Sequence, residues 1–319
     1  MGSNLIGRPL RGLRMTIVAL VAMIAALAWT ATAMAVPGTQ TWTGQPGGST
    51  PDIELGGLTV YDLNGAPVPN VGIAGTLNFT IDGEPFVGVC IDISNPFDTG
   101  ANVPVDVTTS TPAPGSDEAA LAWIITTKLS SPTLTPQEAA AAQVAAWLLV
   151  DPTAVNATAP TSDDALNAAA LALVTEAKDT TATAATLAVG AATPAPGALT
   201  TPVTVTGRAG ATVTLSVATG VGTLSATQVT LDSNGTATVT LTTTGAGSVT
   251  VAATTAGDAE YLRIQPTNTQ NVSQDTAAAR PTVLNASAQV TFTPPPPTPP
   301  PPPTPPPPPA PPVTPPPVP

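Results

Sequence analysis

The chain has 319 residues, and its composition excludes several functional classes. Eight basic residues stand against 20 acidic ones, a net charge of −12, so no basic surface exists to hold a nucleic-acid backbone. With no histidine and one cysteine, Ser-His-Asp and Cys-His catalysis, imidazole zinc sites and internal disulfides are excluded. Chemistry is left to the cysteine, the carboxylates and the amides, and we expect no cofactor and no metal.

Residues 1–35 have the pattern of a secretory signal peptide. Three arginines in the first 14 positions precede an apolar run from Met15 to Trp29. Ala33-Met34-Ala35 supplies the small residues of a cleavage site. Because the apolar run is shorter than the roughly 20 residues of a spanning helix, we expect cleavage before Val36 and a secreted or cell-surface protein.

Strand patterns are followed by helix patterns between residues 36 and 180. Apolar and polar residues alternate in Thr76–Ile81 and Phe86–Ile93, which predicts strands. Ser116 is the expected cap of a first helix that closes near Lys128. Thr135-Pro136-Gln137-Glu138 is a capping box and predicts a second helix that ends near Val150. A third helix is expected after Thr161 or Ser162.

The remainder of the chain predicts a linker, a sandwich and a tail. Residues 181–200 are rich in Ala, Thr, Pro and Gly, which is typical of a linker. Short alternating strands in residues 201–293, with a hairpin turn at Asp232–Gly235, predict an all-β immunoglobulin-like sandwich. Half of the 40 prolines lie in residues 294–319, which predicts a disordered or polyproline II tail.

The single cysteine, Cys90, has three interpretations. It is a small buried hydrophobic residue, an unpaired thiol that joins two chains, or a reactive centre. Its neighbours on the predicted strand are apolar, which favours a packed position over an exposed thiol that would oxidise. The sequence around Cys90 alone does not decide between these interpretations.

Gln143 is the polar residue of an Ala-rich run in the second predicted helix. Its neighbours on the helix face are Ala139, Ala140 and Ala146, so another backbone can approach closely. Trp147 follows one turn later and can cover the same face. The ordinary alternative is a surface glutamine beside a core tryptophan.

Three segments resemble the thioester domains of Gram-positive surface adhesins, over roughly residues 40–180. They are Val89-Cys90-Ile91-Asp92, Trp123-Ile124-Ile125 and Gln143-Val144-Ala145-Ala146-Trp147. In that family the cysteine is joined to the glutamine, and the matching residues here are Cys90 and Gln143. The resemblance implies that Trp147 and Asp92 are supporting residues. Val89 replaces the usual aromatic residue and Ala146 replaces Ile. The following region, with Leu231–Val239, resembles the bacterial immunoglobulin-like domains that often follow such heads.

The resemblance implies a fold and a reaction. The fold is an α+β head, a β-barrel or sandwich with a helical insertion, ahead of the immunoglobulin-like sandwich. The thiolate of Cys90 attacks the Gln143 carbonyl, ammonia leaves, and the thioester later acylates an amine of a target. The expected partner is a host or neighbouring-cell surface protein with a lysine amine. Each chain would react once without turnover, so the protein is not expected to be an enzyme.

Further expectations concern attachment and cross-links. The Pro-rich tail is a candidate for association with peptidoglycan or the cell wall. The sequence ends at Pro319 without a sortase-type motif, so we expect an anchor encoded elsewhere or none. No lysine follows Lys178, so a lysine–asparagine isopeptide bond is not expected in residues 201–293.

Two rival functions remain. The first is a non-covalent structural stalk or binding module in which Cys90 is inert and buried. The second is a carboxylate glycosidase, which needs two convergent acids. The acidic residues are scattered along the chain, so the glycosidase is the least favoured function.

Overall fold

The computed structural model describes residues 35–42, 54–69, 73–93, 103–267 and 274–302. The chain divides into two compact units. The first comprises the chain up to Ala185 together with Ala256–Val283, and the second comprises Thr186–Thr255 and the chain from Leu284 onward. The predicted signal peptide, apart from Ala35, lies outside the described residues.

The strands and helices are numbered in chain order. The first part of the chain forms β1 (Ala35–Trp42), β2 (Glu54–Gly56), β3 (Ile73–Gly75), β4 (Leu77–Ile81), β5 (Glu84–Cys90), β6 (Val103–Ser110), α1 (Asp117–Ile124), α2 (Pro136–Val150) and α3 (Asp164–Thr181). The remainder forms β7 (Leu187–Ala191), β8 (Thr200–Gly207), β9 (Thr212–Thr219), β10 (Thr223–Leu224), β11 (Gln228–Thr230), β12 (Thr236–Thr242), β13 (Gly247–Ala256), β14 (Glu260–Pro266), β15 (Thr276–Arg280) and β16 (Val283–Phe292). A π-helical turn, Ile125–Leu129, extends α1.

A closed barrel forms the centre of the first unit. Its strands follow the order β1-β4-β5-β15-β14-β6, and β6 pairs with β1 to close it. Buried residues alternate with less buried ones along β4 and most of β6, as expected when one face of a strand is inside. The buried cluster there includes Phe79, Phe86, Cys90, Leu262 and Ile264. Cys90 thus belongs to the same core cluster as the aromatic residues of β4 and β5.

The helices begin where capping chemistry favours them. Ser116 accepts a hydrogen bond from Ala119 N and caps α1, as predicted. The Thr135–Glu138 capping box at the start of α2 is complete, which confirms that prediction also. The start of α3 was predicted wrongly, because Asp163 caps that helix.

The helices pack on a different face of β5 from the barrel core. Val89 and Ile91 share a buried cluster with Leu121, Ala142 and Ala146. A second cluster on α2 contains Ala140, Val144 and Trp147, together with Ile93. Helix α2 is therefore buried on two sides, which explains why an almost uniformly apolar Ala-rich segment forms it.

Two four-stranded sheets form the second unit. Their strand orders are β10-β12-β8-β7 and β11-β9-β13-β16. Alternate residues of both sheets are buried in one cluster, which includes Val203, Leu215, Leu241, Val251 and Phe292. The hairpin turn predicted at Asp232–Gly235 is present, with Gly235 at a φ of 70° and Asp232 N bonded to Thr236 O.

The predicted boundaries of the linker and the sandwich were wrong. Residues 181–200 are not a free linker, because β7 pairs with β8 in a sheet of the second unit. Residues 201–293 are not one sandwich, because β14 and β15 belong to the barrel. The physical reason is that alternation marks a strand but not its partner, and these strands pair with β5 and β6 far back in the sequence.

Three hydrogen bonds connect the segments in which the chain leaves and re-enters the first unit. The chain leaves after Ala185, returns at Ala256 and leaves again after Val283. Ala185 N donates to Asp258 Oδ2 at 2.8 Å, and Gly257 N donates to Thr282 O at 2.9 Å. Thr282 Oγ1 also donates to the Asp258 carbonyl. These bonds bring the outgoing and returning chain segments together within the first unit.

Two further features concern the termini and membranes. Residues 294–302 of the Pro-rich tail are exposed and contain no helix or strand, and the rest of the tail lies outside the described residues. Among the residues that are described, no helix has the length and apolar character needed to cross a membrane.

Candidate functional site

Cys90 is the last residue of β5. Its neighbour across the barrel sheet is Thr276 of β15, a fully buried residue. The next residue of the chain is held to the same strand, because Ile91 N donates to Asp275 O at 3.0 Å. The side chain of Cys90 is buried and forms no disulfide.

Gln143 lies in the middle of α2 and is buried, with 3% of its surface exposed. Its helix-face neighbours Ala139, Ala140 and Ala146 are fully buried as well. Since these side chains are methyl groups, the helix backbone can approach the barrel closely enough for the amide of Gln143 to reach β5.

The structure brings the Gln143 amide onto the backbone of Cys90. The Cys90 N–H donates to Gln143 Oε1 at 2.9 Å. Gln143 Nε2 in turn donates to the Cys90 carbonyl oxygen at 2.6 Å. Both bonds are buried and join residues that are 53 positions apart. One side-chain amide therefore pairs with both backbone groups of the cysteine.

The Gln143 amide takes the hydrogen-bonding position beside Cys90 that a longer β4 would otherwise take. The last β4–β5 pair is Leu77 with Gly88. Two positions further along an antiparallel ladder, Gly75 would face Cys90. Gly75 instead pairs with Glu54 in a separate two-stranded sheet. The Gln143 amide thus continues the ladder as a substitute for one backbone peptide.

Trp147 follows Gln143 by one helical turn and is 3% exposed. It packs in the cluster that contains Val144 and Ile93, on the side of α2 next to the chain segment after Cys90. Its indole N–H is buried and has no hydrogen-bond partner within the described residues. The supporting role of Trp147 toward the pair stays a prediction.

Asp92 lies near a second carboxylate, which the sequence analysis missed. Asp151, at the C-terminal end of α2, accepts a hydrogen bond from the Ile93 N–H. The pKa of Asp151 is raised, first by its burial and then by the negative charge of Asp92. Asp92 therefore acts on the pKa of Asp151 at the end of α2, and its supporting role toward Cys90 and Gln143 stays a prediction. In the described part of the chain no three Cys, Asp or Glu residues cluster as metal ligands.

Other residues that shape the site also escaped the sequence analysis. Gly88 has no room for a side chain, since a Cβ there would lie 2.3 Å from Ala277 O. Thr276 of β15 and Asp275, which directly precedes it, come from the region that was assigned to the sandwich. Gly88 could have been found, because a glycine inside a strand pattern indicates close approach of another backbone. The pairing of β15 with β5 could not, because no local sequence pattern indicates it.

No protein-family model and no curated protein sequence matches this chain. Among solved structures, it is similar to the thioester domain of the Enterococcus faecium TIE86 protein, with 15% identity and a TM-score of 0.33. That match covers 82% of this chain and 99% of the other. It is also similar to the D00-D0 domain of intimin, with 22% identity, a TM-score of 0.22, and coverage of 35% of this chain and 48% of the other. The D0-D1 domain of intimin matches with 13% identity and a TM-score of 0.20, over 35% of this chain and 100% of the other.

Proposed function

We propose that this chain is a secreted or cell-surface adhesin whose Cys90 and Gln143 form an internal thioester that reacts with an amine of a target. The observation that carries the proposal is the pairing of the buried Gln143 amide with the backbone of Cys90. A glutamine and the chain's one cysteine meet inside an apolar core, at residues that resemble the reactive pair of thioester domains.

The geometry supports attack of the Cys90 thiolate on Cδ of Gln143. The C–S bond forms as Oε1 becomes an oxyanion, and the Cys90 N–H already donates to that oxygen at 2.9 Å. A preorganised donor of this kind stabilises the developing charge. The C–N bond then breaks, and the nitrogen leaves as ammonia after taking up the thiol proton. The chain contains no histidine to act as a base. In this proposal the proximity of the thiol and the amide therefore supplies much of the reduction in the activation barrier.

The second step joins the protein to its target. An amine, such as a lysine side chain of a surface protein, attacks the same carbonyl and displaces the Cys90 thiolate, a good leaving group. An amide then links Gln143 to the partner, and Cys90 regains its proton from the amine. Until a partner docks, the buried alanines around Gln143 and the indole of Trp147 limit access of water. Each chain reacts once, so the protein is a single-use reagent and not an enzyme.

In this proposal the second unit is a passive spacer. It has no lysine, so it lacks the amine for an internal isopeptide bond. The Pro-rich tail extends the spacer and is the candidate segment for contact with the cell wall. The signal peptide would direct the chain outside the cell.

Intact mass and methylamine test the reaction. Fresh protein is expected to weigh one ammonia less than its sequence, and methylamine should add to Gln143 and release the Cys90 thiol. Cys90→Ala and Gln143→Ala should each abolish both changes. Asn167→Ala is the matched control, since it removes another buried amide of the first unit, bonded to Thr161, and should leave both changes intact. Full sequence mass of fresh wild type, together with a Cys90 that is alkylated after unfolding, would refute the proposal.

The structural alternative has a specific observation in its favour. Gln143 completes the hydrogen bonding of the strand end at Cys90, which is a sufficient reason to bury an amide. If this were its whole role, Cys90 would keep its thiol and label with an alkylating reagent after unfolding. Fresh wild-type protein of full sequence mass would then support a non-covalent stalk or binding module.

A further inference from the structure

The strand that faces Cys90 is held by an anchored residue, Asp275. Its carbonyl oxygen accepts the hydrogen bond from Ile91 N, directly after Cys90. Its carboxylate is fixed by two side chains of β14. Arg263 Nη2 donates to Asp275 Oδ2 at 2.7 Å, and Gln265 Nε2 donates to the same oxygen at 3.0 Å. Asp275 thus joins the Cys90 end of β5 to the next strand of the barrel.

The two ends of the β5–β15 pair are fixed independently. At the end far from Cys90, Arg280 of β15 donates to Glu84 of β5 at 2.5 Å. That ion pair lies at the first residue of β5, about 20 Å from Cys90 at roughly 3.3 Å per strand residue. Asp275 acts at the other end, where the Cys90 peptide meets the Gln143 amide. The carboxylate of Asp275 is also the less exposed of the two, at 18% against 54% for Glu84.

The backbone directions explain why the anchor matters for the reaction. Successive peptides of a strand point to opposite edges. Ile91 N points to β15 and bonds Asp275, so Cys90 N points the other way and bonds Gln143 Oε1. A shift of Asp275 would therefore rotate the donor that faces the Gln143 carbonyl.

We propose that Asp275 is a positioning residue for Cys90, which acts through the Ile91 peptide and sets the angle of the Cys90 N–H toward Gln143. This inference rests on the proposed thioester reaction. Asp275 touches neither reacting group. Its effect is on the rate at which the bond forms, because a displacement of about 1 Å in a reacting pair can change a rate by roughly a hundredfold.

A time course of ammonia loss tests the inference. The chain from Val36 onward is made by cell-free synthesis, and its intact mass is followed with time in parallel with thermal unfolding. Asp275→Ala is expected to slow ammonia loss by about tenfold, and Asp275→Glu, which keeps a carboxylate for Arg263, should recover most of the rate. Glu84→Gln is the matched control, since it removes an ion pair from the same strands, and its rate should equal that of the wild type.

Each result has a defined meaning. Equal rates for Asp275→Ala and Glu84→Gln would overturn the inference, as would a slow Asp275→Glu variant of wild-type stability. If Asp275→Ala fails to fold, the double variant Arg263→Ala/Gln265→Ala replaces it, because it removes both side chains that hold the Asp275 carboxylate; an unchanged rate in that folded variant would equally overturn the inference. A wild-type chain that never loses ammonia would refute the proposed function itself, which is a separate outcome.

Discussion

The two units bury polar groups in different ways. In the second unit the buried polar side chains among the described residues are threonines, and each bonds a backbone carbonyl: Thr201 to Ala192, Thr243 to Val221 and Thr255 to Thr212. In the first unit, a buried side-chain amide also joins two elements, since Gln143 connects a helix to a strand 53 positions away. The second unit buries hydroxyls that bond its own backbone, whereas the first also buries the side-chain amides of Gln143 and Asn167.

The largest expected difference between the units concerns two strand glycines. Gly88→Ala would place Cβ 2.3 Å from Ala277 O and 2.9 Å from Phe79 Cε1, so β15 must move away from β5. We expect the first unit to lose about 3 kcal/mol of unfolding free energy. Gly190→Ala in the second unit meets its nearest atom at 4.0 Å, and we expect a change below about 0.5 kcal/mol. Denaturant unfolding of both variants measures this. Similar losses in the two variants would contradict the close approach at Gly88.

A smaller effect is expected from matched losses of local hydrogen bonds. Thr135→Ala removes the cap of α2, and Asp232→Ala removes the acceptor of the Asn234 and Thr236 N–H groups in the second unit. Each should cost about 1 kcal/mol. In a calorimetric scan Thr135→Ala should lower only the transition of the first unit, and Asp232→Ala only that of the second. Equal shifts of both transitions in either variant would show that the units unfold together.

The smallest effect is expected at Asp151. Burial and the charge of Asp92 raise its pKa, so the folded state binds the proton more tightly than the unfolded state. Stability therefore falls as the pH rises from the ordinary carboxyl pKa through the raised one. Asp151→Asn keeps an oxygen to accept the Ile93 N–H and should stabilise the first unit at neutral pH by less than about 1 kcal/mol.

The pH dependence provides the check on that variant. Below the ordinary carboxyl pKa, wild type and Asp151→Asn should have the same stability, and the difference should grow as the pH rises. Asp92→Asn should reproduce part of the gain, because it removes the second cause of the raised pKa. A variant that loses stability at neutral pH would mean that the Asp151 charge is favourable in the folded protein.

Helix caps and individual strands could be predicted from the sequence, but which strands pair with each other could not. Ser116 and Thr135 were identified as helix caps because the capping chemistry lies within a few residues. The cap of α3 was missed because three suitable residues stand in a row, and Ser162 instead accepts a hydrogen bond from Thr59 N. The strands β14 and β15 were recognisable as strands, but their assignment to the barrel depends on partners far away in the sequence.

Some residues of the candidate site could likewise be identified from the sequence, and others could not. Cys90 and Gln143 were identified through their resemblance to a known motif, and the structure places them together. The contact itself is between the glutamine amide and the cysteine backbone, which no motif specifies. Asp275 and Thr276 were not recognised, because their importance comes from the pairing of β15 with β5, and that pairing leaves no periodic pattern in the sequence.

The late return of the chain to the barrel has a consequence for the order of biosynthesis. A growing polypeptide that has reached Thr255 already contains Cys90 and Gln143, but β14 and β15 have not yet been made. The barrel is then open beside Cys90, and the ribosome must first translate the whole inserted segment of the second unit. A covalent loop between residues 90 and 143 would obstruct the passage of an unfolded chain through a narrow export channel. If the proposed thioester forms, the downstream position of β14 and β15 would delay that loop until these strands have been translated.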